Sequence, residues 1–283
     1  MPIVQPSSSV PEIIDAHVHL SERRNDRLNE FAKRSGLRYN LDELLSLMKE
    51  SDVALGVLLS SISENGDPFP YDDVLRLCER SRGKLVPAVT VAPSSESVSG
   101  ALRLARNNGR LIKAFKIMLG YGETSANNPV FGRVFDYAES NEIPVMFHTG
   151  DTAVANGSLV DAHPLTLDAL ANKREGLKIV ACHFGNPWFD DVAELVYKHP
   201  NFYADISGLA ISGSRYIDGY FDWLAQRLNH AIYYAGGVDK IIFGSDYPVT
   251  RPSRVISLVQ RLEIDARDRR RILSENAKKV FGL

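Results

Sequence analysis

Near its beginning the chain carries the stretch Ile13-Ile-Asp-Ala-His17-Val-His19. Its apolar and β-branched residues predict a β-strand, and residues two apart on a strand project from the same face. His17 and His19 can therefore reach one metal ion together. Taken alone the pair is weak evidence, because short motifs of this kind also arise by chance.

Three further potential ligands stand at the ends of later apolar runs, namely His148, His183 and Asp246. Residues so distant in sequence meet only if the fold gathers strand ends at one place, and a parallel β-barrel does so. Imidazoles combined with a carboxylate suit Zn²⁺ or another divalent transition metal. The pattern predicts a metal site at the carboxyl ends of the strands of a barrel.

Eight apolar runs alternate along the chain with segments of helical periodicity. The predicted strands are Ile13 to His19, Val53 to Leu59, Leu85 to Val91, Leu111 to Met118, Ile143 to His148, Leu177 to His183, Asn201 to Ile206 and Lys240 to Asp246. Alternation of this kind predicts an α/β fold, and eight repeats favour a (β/α)₈ TIM barrel over a doubly wound sheet. Asn40, followed three residues later by Glu43, predicts the start of one of the helices.

The domain organisation is predicted to be simple. Residues 1–12 hold three Ser and three Pro without an apolar run, which predicts a flexible N-terminal arm rather than a signal peptide. Residues 13–283 then form a single barrel domain. Two long connections, 21–40 and 207–219, are expected to lie over the barrel mouth, where they could form a lid or a substrate wall.

Composition excludes several classes of function. The net charge of -2 gives no electrostatic reason to expect nucleic acid or an anionic membrane as partner. No apolar stretch approaches the ~20 residues that span a bilayer. The 2 Cys form no disulfide framework, which favours a cytoplasmic protein. The expected partner is a small-molecule substrate, and a homo-oligomer is left open.

Five motifs in this chain resemble those of the amidohydrolase superfamily. They are Asp15-Ala-His17-Val-His19, Phe147-His148-Thr-Gly150, Cys182-His183-Phe-Gly185, Asn201-Phe-Tyr-Ala-Asp205-Ile-Ser207-Gly208 and Phe243-Gly-Ser-Asp246-Tyr-Pro248. Within the superfamily the similarity is greatest to the amidohydrolase-2 group, which includes the aminocarboxymuconate semialdehyde decarboxylase-like enzymes. The resemblance runs from about residue 13 to the C-terminus and implies a TIM barrel of the metallo-dependent hydrolase type.

The resemblance also implies roles for individual residues. One divalent ion would be held by His17, His19, His148 and Asp246, with Zn²⁺ expected first and Mn²⁺ or Fe²⁺ as alternatives. His183 would face the substrate as an acid, a base or a polarising group, and Asp246 would accept a proton from the attacking water. In some amidohydrolases a carboxylated lysine bridges two ions, so Lys116 and His183 are the alternative ligands of a second metal.

Other residues could contact the substrate because they lie in loops after the later strands. These candidates are Tyr121, His163, Trp188 and Arg251. Arg251 could hold a substrate carboxylate through both of its terminal nitrogens. Asp205 is expected to orient a metal ligand, and alternation along its strand is expected to turn Cys182 toward the helix layer.

The leading functional hypothesis is a metal-dependent hydrolase, in which metal-activated water attacks a C–O or C–N bond of a small substrate that is cyclic or bears a carboxylate. The alternative is a metal-dependent, non-oxidative decarboxylase of the same family, in which no water attacks. A third hypothesis, of another class, is a barrel that has lost its metal and serves as a binding protein.

Overall fold

The computed structural model describes residues 12–62, 69–122, 124–211 and 217–283. Eight parallel strands form a single sheet in which chain order is also spatial order. They are Ile13–His19 (β1), Val53–Leu59 (β2), Leu85–Thr90 (β3), Ala114–Ile117 (β4), Val145–Phe147 (β5), Ile179–Ala181 (β6), Phe202–Asp205 (β7) and Ile241–Ile242 (β8). The predicted (β/α)₈ TIM barrel is confirmed.

The sheet closes on itself through backbone hydrogen bonds between β1 and the segment that starts at β8. The amide of Ala16 donates to the carbonyl of Phe243 at 3.0 Å, and that of Asp246 donates to the carbonyl of His17 at 2.8 Å. This closure places the histidine pair of β1 directly beside Asp246.

Helices surround the barrel and connect its strands. They are Asp26–Arg34 (α1), Leu41–Glu50 (α2), Tyr71–Arg80 (α3), Ser95–Asn108 (α4), Gly132–Ser140 (α5), Leu159–Ala162 (α6), Asp168–Lys173 (α7), Phe189–Lys198 (α8), Ile217–Tyr234 (α9), Pro252–Arg261 (α10), Ala266–Arg270 (α11) and Asn276–Phe281 (α12). Asn40 caps α2 as predicted, because its side chain accepts the amide of Glu43 at 2.9 Å. Within the described ranges, no helix has the length and apolarity to cross a bilayer.

The barrel interior below the mouth is apolar. We call its buried side chains the barrel floor, which comprises Ile14, Val57, Met146, Val180, Tyr203 and Ile242 from the strands and Ala277, Val280 and Phe281 from α12. The last helix thus plugs the end of the barrel opposite the strand C-termini. A second and larger apolar cluster lies between the outer faces of the strands and the surrounding helices.

Six of the eight predicted strands extend beyond the observed ones, and two of these differences concern residues of the mouth. Lys240 to Asp246 was predicted where only Ile241–Ile242 pairs, and Leu177 to His183 where Ile179–Ala181 pairs. The difference arises because His183 and Asp246 have positive φ angles of 61° and 62°, which extended strands do not adopt. At both residues the chain leaves the sheet and turns into the mouth.

The first long connection is partly helical, since α1 lies between residues 21 and 40. Asn25 begins this helix by accepting the amide of Leu28 at 3.0 Å. The second connection, 207–219, is described except for residues 212–216. The predicted N-terminal arm lies outside the described residues apart from Glu12, and a single domain over 13–283 stays a prediction.

Candidate metal centre

The histidine pair reaches the mouth because β1 contains a bulge. Asp15 pairs with Gly56 and Val18 with Leu58, so two residues of β1, Ala16 and His17, share one position opposite β2. Ile14 and Ala16 join the apolar cluster inside the barrel, whereas Val18 joins the outer one. The bulge therefore shifts the alternation and directs His17 and His19 to the site.

Three ligand-type atoms form a compact triangle at the mouth. His17 Nε2 lies 3.2 Å from His19 Nε2 and 3.4 Å from Asp246 Oδ1, and His19 Nε2 lies 3.5 Å from the same oxygen. Tetrahedral coordination with bonds of about 2.0–2.2 Å requires ligand atoms about 3.3–3.6 Å apart. Both the spacing and the donor set of this His-His-Asp triangle fit a divalent transition metal.

His183 and His148 lie beside the triangle and contact each other. His183 Nε2 is 3.1 Å from His148 Nδ1, and His183 Nδ1 is 3.9 Å from Asp246 Oδ2. The other ring nitrogen of His148 lies 2.9 Å from the carbonyl oxygen of Asp151. The structure thus brings the five predicted strand-end residues together, but it pairs His148 with His183 rather than placing it in the triangle.

A left-handed turn sets the position of His183. Cys182 points into the barrel, so simple alternation would direct His183 outward. Instead His183 and Phe184 adopt φ angles of 61° and 46°, and the ring of His183 returns to the mouth. Positive φ is uncommon for bulky residues, and each such residue costs of order 1–3 kcal/mol.

Cys182 corrects one expectation from the sequence. It was predicted to face the helix layer, but it is fully buried inside the barrel and accepts a hydrogen bond from Lys116 Nζ at 2.8 Å. The reason is that Val180 and Cys182 share the inward face of the β6 segment, while Ala181 contacts the outer cluster. Among the described residues no carboxylate forms an ion pair with Lys116. Carboxylation of this lysine stays a prediction.

A buried hydrogen-bond network orients His17. Asp205 Oδ2 accepts from His17 Nδ1 at 2.9 Å, and its Oδ1 accepts from the amide of His183 at 2.9 Å and from Ser207 Oγ at 2.5 Å. A carboxylate on the far nitrogen of a ligating imidazole fixes the tautomer and the ring orientation. This geometry fits the orienting role predicted for Asp205, which stays a prediction, and Nε2 of His17 faces the triangle.

Ser207 is a site residue that the sequence analysis did not identify. Its Oγ lies 3.1 Å from His17 Nδ1 and 3.0 Å from His183 Nδ1, next to Asp205. These three neighbours are also spaced closely enough to hold an ion. Because the hydroxyl already lies among them, we interpret this group as a hydrogen-bond cluster. The available signal was the spacing of Asp205 and Ser207, which lie two apart at the end of a predicted strand.

Burial determines the charge state of the site. It lowers the pKa of His17, His19 and His183 below the usual imidazole value, and together with the positive charge of Lys116 it lowers the pKa of His148 to about 3. The four rings are therefore neutral at pH 7, which is the form that binds metals. Burial also raises the pKa of Asp246 well above its usual value, so a cation beside this carboxylate would offset a large desolvation cost.

A cavity of about 480 Å³ opens above the triangle, a volume typical of small-molecule sites. His19, His148, His183 and Asp246 line its base. Its walls come from α1 and from the segments that follow β2, β4, β5, β7 and β8. Of the residues predicted to contact substrate, Tyr121 lines the cavity, and its ring packs edge-on against His148 at 4.9 Å between centroids.

The other three predicted substrate residues do not line this cavity. Arg251 donates to the carbonyl of Gly36 at 3.0 Å. Trp188 packs on His163, with ring centroids 4.5 Å apart, and His163 lies 3.9 Å from Asp191. Position in a loop after a strand did not distinguish these side chains from those that enter the mouth.

Gly208 shows how closely the backbone approaches the site. Its φ is 69°, and a Cβ there would lie 2.9 Å from Asp246 Oδ2 and 3.1 Å from His183 Nδ1. Only glycine accommodates both the positive φ and this approach. The loop after β7 therefore forms one wall of the metal centre.

Comparison with known proteins identifies the family. A family model described as Amidohydrolase matches residues 14–283. An uncharacterized TIM-barrel protein from Bordetella bronchiseptica is 18% identical, with a TM-score of 0.76 over 96% of this chain and 98% of its own. No curated protein matches the chain.

Two similar solved structures carry names of enzymes. A probable 2-pyrone-4,6-dicarboxylic acid hydrolase from Acinetobacter baumannii, solved with citric acid bound, is 18% identical, with a TM-score of 0.66 over 96% of this chain and 100% of its own. A 2,6-dihydroxybenzoate decarboxylase from Rhizobium is 17% identical, with a TM-score of 0.66 over 96% and 99%. At this identity the likeness shows the fold. The family match shows that the chain belongs to the amidohydrolase family, whose members are metal-dependent enzymes with small-molecule substrates.

Proposed function

We propose that this member of the amidohydrolase family is a metal-dependent hydrolase that cleaves a C–O or C–N bond of a small substrate. The observation that carries the proposal is the His-His-Asp triangle with atom separations of 3.2–3.5 Å, placed at the base of a cavity with His183 at its side. A divalent ion held there, Zn²⁺ by preference and Mn²⁺ or Fe²⁺ as alternatives, would polarise the substrate and acidify water.

The protein's own residues then divide the proton transfers. Asp246 lies at the triangle and also opens to the cavity, so its carboxylate is placed to accept the proton of an attacking water. His183 lies 3.9 Å from Asp246 and lines the cavity, so its neutral ring is placed to take up that proton from Asp246 and pass it to the leaving atom of the substrate. Asp205 and Ser207 hold His17 and His183 in place.

His148 and Lys116 have supporting roles in this proposal. The predicted fourth ligand, His148, contacts His183 and can fix the direction of that ring. Lys116 is among the residues that line the cavity, where its side chain would favour anionic groups. A second ion held by Lys116 and His183 is the alternative, and it requires Lys116 to lose its contact with Cys182.

Non-oxidative decarboxylation is the second candidate. The cavity offers an apolar wall that suits an aromatic acid and departing CO₂, formed by Leu28, Phe31, Met118, Leu209 and Val249. In this reaction a proton replaces the carboxylate on carbon, so Asp246, or His183 after it has taken up a proton from solvent, would deliver that proton to the ring and no water would attack.

The two reactions differ in their products. We would assay the zinc-loaded protein with a panel of lactones, amides and hydroxybenzoates in H₂¹⁸O. Hydrolysis places one ¹⁸O atom in the product, whereas decarboxylation releases CO₂ and takes up solvent hydrogen. The proposal expects ¹⁸O incorporation, and CO₂ release without it would assign the chain to the second candidate.

A matched pair of histidine variants tests the role of His183. His183→Asn should lower kcat by about 10²- to 10⁴-fold while the bound metal stays near the wild-type level, as expected for loss of a proton donor. His163→Asn is the control, because His163 packs against Trp188 and does not line the cavity. Equal losses in both variants would contradict the assignment.

A further inference from the structure

We infer that Arg27 binds a carboxylate of the substrate and that the site is therefore built for a small organic acid. This inference rests on the proposed function, because it places one end of the substrate at the His-His-Asp triangle. It assigns to α1 the anchoring role that the sequence had suggested for Arg251.

The position of Arg27 follows from α1 and Tyr121. Its guanidinium carbon lies 5.9 Å from the ring centre of Tyr121, and that ring lies 4.9 Å from the ring of His148. The guanidinium is therefore no farther from His148 than the sum of these two separations. Both Arg27 and Tyr121 line the cavity, so a molecule of modest size can touch the triangle and Arg27 together.

Two contacts hold Tyr121 in this place. Its hydroxyl accepts the amide of Ala153 at 2.9 Å, and its ring edge packs on His148. A guanidinium over an aromatic face is stabilised by the ring and keeps its N–H edge free for an acceptor. Tyr121 thus positions the arginine rather than neutralising it.

Arg27 differs from the neighbouring arginines in its partners. Arg24 is paired with Asp26 at 2.7 Å, and Arg34 with Glu30 at 3.2 Å. Across the parts of the chain that the structure describes, Arg27 has no carboxylate within ion-pair distance. A half-buried guanidinium facing a cavity without an acidic partner offers two parallel N–H donors, which match a carboxylate.

The rest of the cavity agrees with an acid that has an apolar body. Leu28 and Phe31 project from the same helix into the cavity, and Met118 lines it from the end of β4. Arg251 cannot serve as the anchor in this conformation, because it does not line the cavity and donates to Gly36.

The test compares binding of three probes to the zinc-loaded full chain by calorimetry. The probes are isophthalate with two carboxylates, benzoate with one, and the neutral isophthalamide. For Arg27→Met we expect isophthalate affinity to fall about 10- to 100-fold, toward that of benzoate, because a charge-assisted bidentate contact is lost. Isophthalamide affinity should stay within about twofold, since it has no charge to lose.

Arg24→Met is the matched control, since it removes the same charge three residues earlier, where Arg24 is exposed, does not line the cavity and is paired with Asp26. It should change isophthalate affinity by less than about threefold, as expected for an exposed charge. Thermal melting of both variants should match the wild type. Equal effects of the two variants, or an equal loss of isophthalamide binding in Arg27→Met, would overturn the inference.

Failure of the proposed function gives a different result. Zinc content is measured in each sample before titration, and absence of zinc in the wild type counts against the metal centre. The contribution of Arg27 is then read from the same comparison in metal-free protein, because a guanidinium binds a carboxylate without an ion. A loss confined to Arg27→Met supports the anchor there too, and no difference from Arg24→Met contradicts it.

Discussion

The two ends of the barrel interior differ in how their buried side chains are stabilised. At the floor, Met146, Val180 and Phe281 pack against one another in an apolar cluster. At the mouth the buried residues are titratable, and His17, Lys116 and Asp205 have no measurable exposure. Burial of apolar surface stabilises a fold, whereas burial of charge costs free energy unless a partner offsets it.

The same contrast appears in the backbone. The mouth contains non-glycine residues at positive φ, among them Phe184. It also contains Gly208, where the Cβ of any other residue would collide with Asp246 and His183. Strain of this kind persists where surrounding structure fixes it and is common at functional sites. The floor therefore stabilises the fold, and part of that stability offsets the cost of burying charge and straining the backbone at the mouth.

The largest expected effect separates activity from stability at the mouth. Asp246→Asn should reduce kcat/KM by about 10⁴-fold, because it removes both a ligand oxygen and a proton acceptor. Burial raises the pKa of Asp246 well above its usual value, so the carboxylate costs free energy in the metal-free fold. Urea unfolding of metal-free Asp246→Asn should show stability equal to or greater than wild type. A loss of stability as large as that of a floor variant would contradict the proposed difference between the mouth and the floor.

The floor should show the opposite behaviour. Phe281→Ala removes a side chain that is 4% exposed at the end of α12 and should lower the free energy of unfolding by about 3–5 kcal/mol. Zinc bound per folded molecule should stay unchanged, as measured by elemental analysis after removal of aggregates. Loss of zinc from the folded fraction would show that the two ends are not independent.

Asp15 lies between the two regions and predicts a pH effect. Burial raises the pKa of Asp15 from 3.8 to about 7, although hydrogen bonds from Ser245 oppose the shift. A carboxyl group whose pKa is higher in the folded than in the unfolded protein stabilises the fold at pH values below its unfolded-state pKa. That stability is lost as the pH rises through the folded-state pKa. The stability of metal-free wild type relative to Asp15→Asn should therefore fall between pH 4 and 7, by up to roughly 4 kcal/mol. A parallel pH course in both proteins would contradict this role of Asp15.

The smallest effect concerns the partner of a ligand. Asp205→Asn weakens the hold on His17 and should lower zinc affinity about 10- to 100-fold, as typical for carboxylates that orient ligating histidines. Asp168→Asn is the matched control, because Asp168 accepts from the ring of His199 at 2.8 Å outside the cavity. Competition with a chelator measures both variants. Similar zinc affinities in the two variants would contradict a role of the Asp205 hydrogen bonds in zinc binding.

Much of the fold could be predicted because buried parallel strands have a simple pattern. The runs Ile13 to His19 and Val53 to Leu59 coincide with β1 and β2, and the convergence of the strand ends followed from the barrel alone. What could not be predicted depends on local departures from alternation. The left-handed turn at His183 and the inward direction of Cys182 are set by tertiary contacts that period-two reasoning does not contain.

Loops set a similar limit at the cavity. Arg251 and Arg27 both follow strands at the mouth, and only the path of the intervening chain decides which one lines the cavity. The connection 21–40 was expected to lie over the mouth as a lid or substrate wall, but the helix α1 within it, which brings Arg27 to Tyr121, was not predicted. Roles for the individual ligands stay predictions that metal binding must test.

The most direct test of the central claim is anomalous diffraction at the zinc edge from crystals of the zinc-loaded protein. We predict one ion, in contact with His17 Nε2, His19 Nε2 and Asp246 Oδ1, the atoms that already lie 3.2–3.5 Å apart. We also predict that His183 faces the cavity without binding an ion. An ion held elsewhere, or a second ion bound by Lys116 and His183, would contradict this assignment.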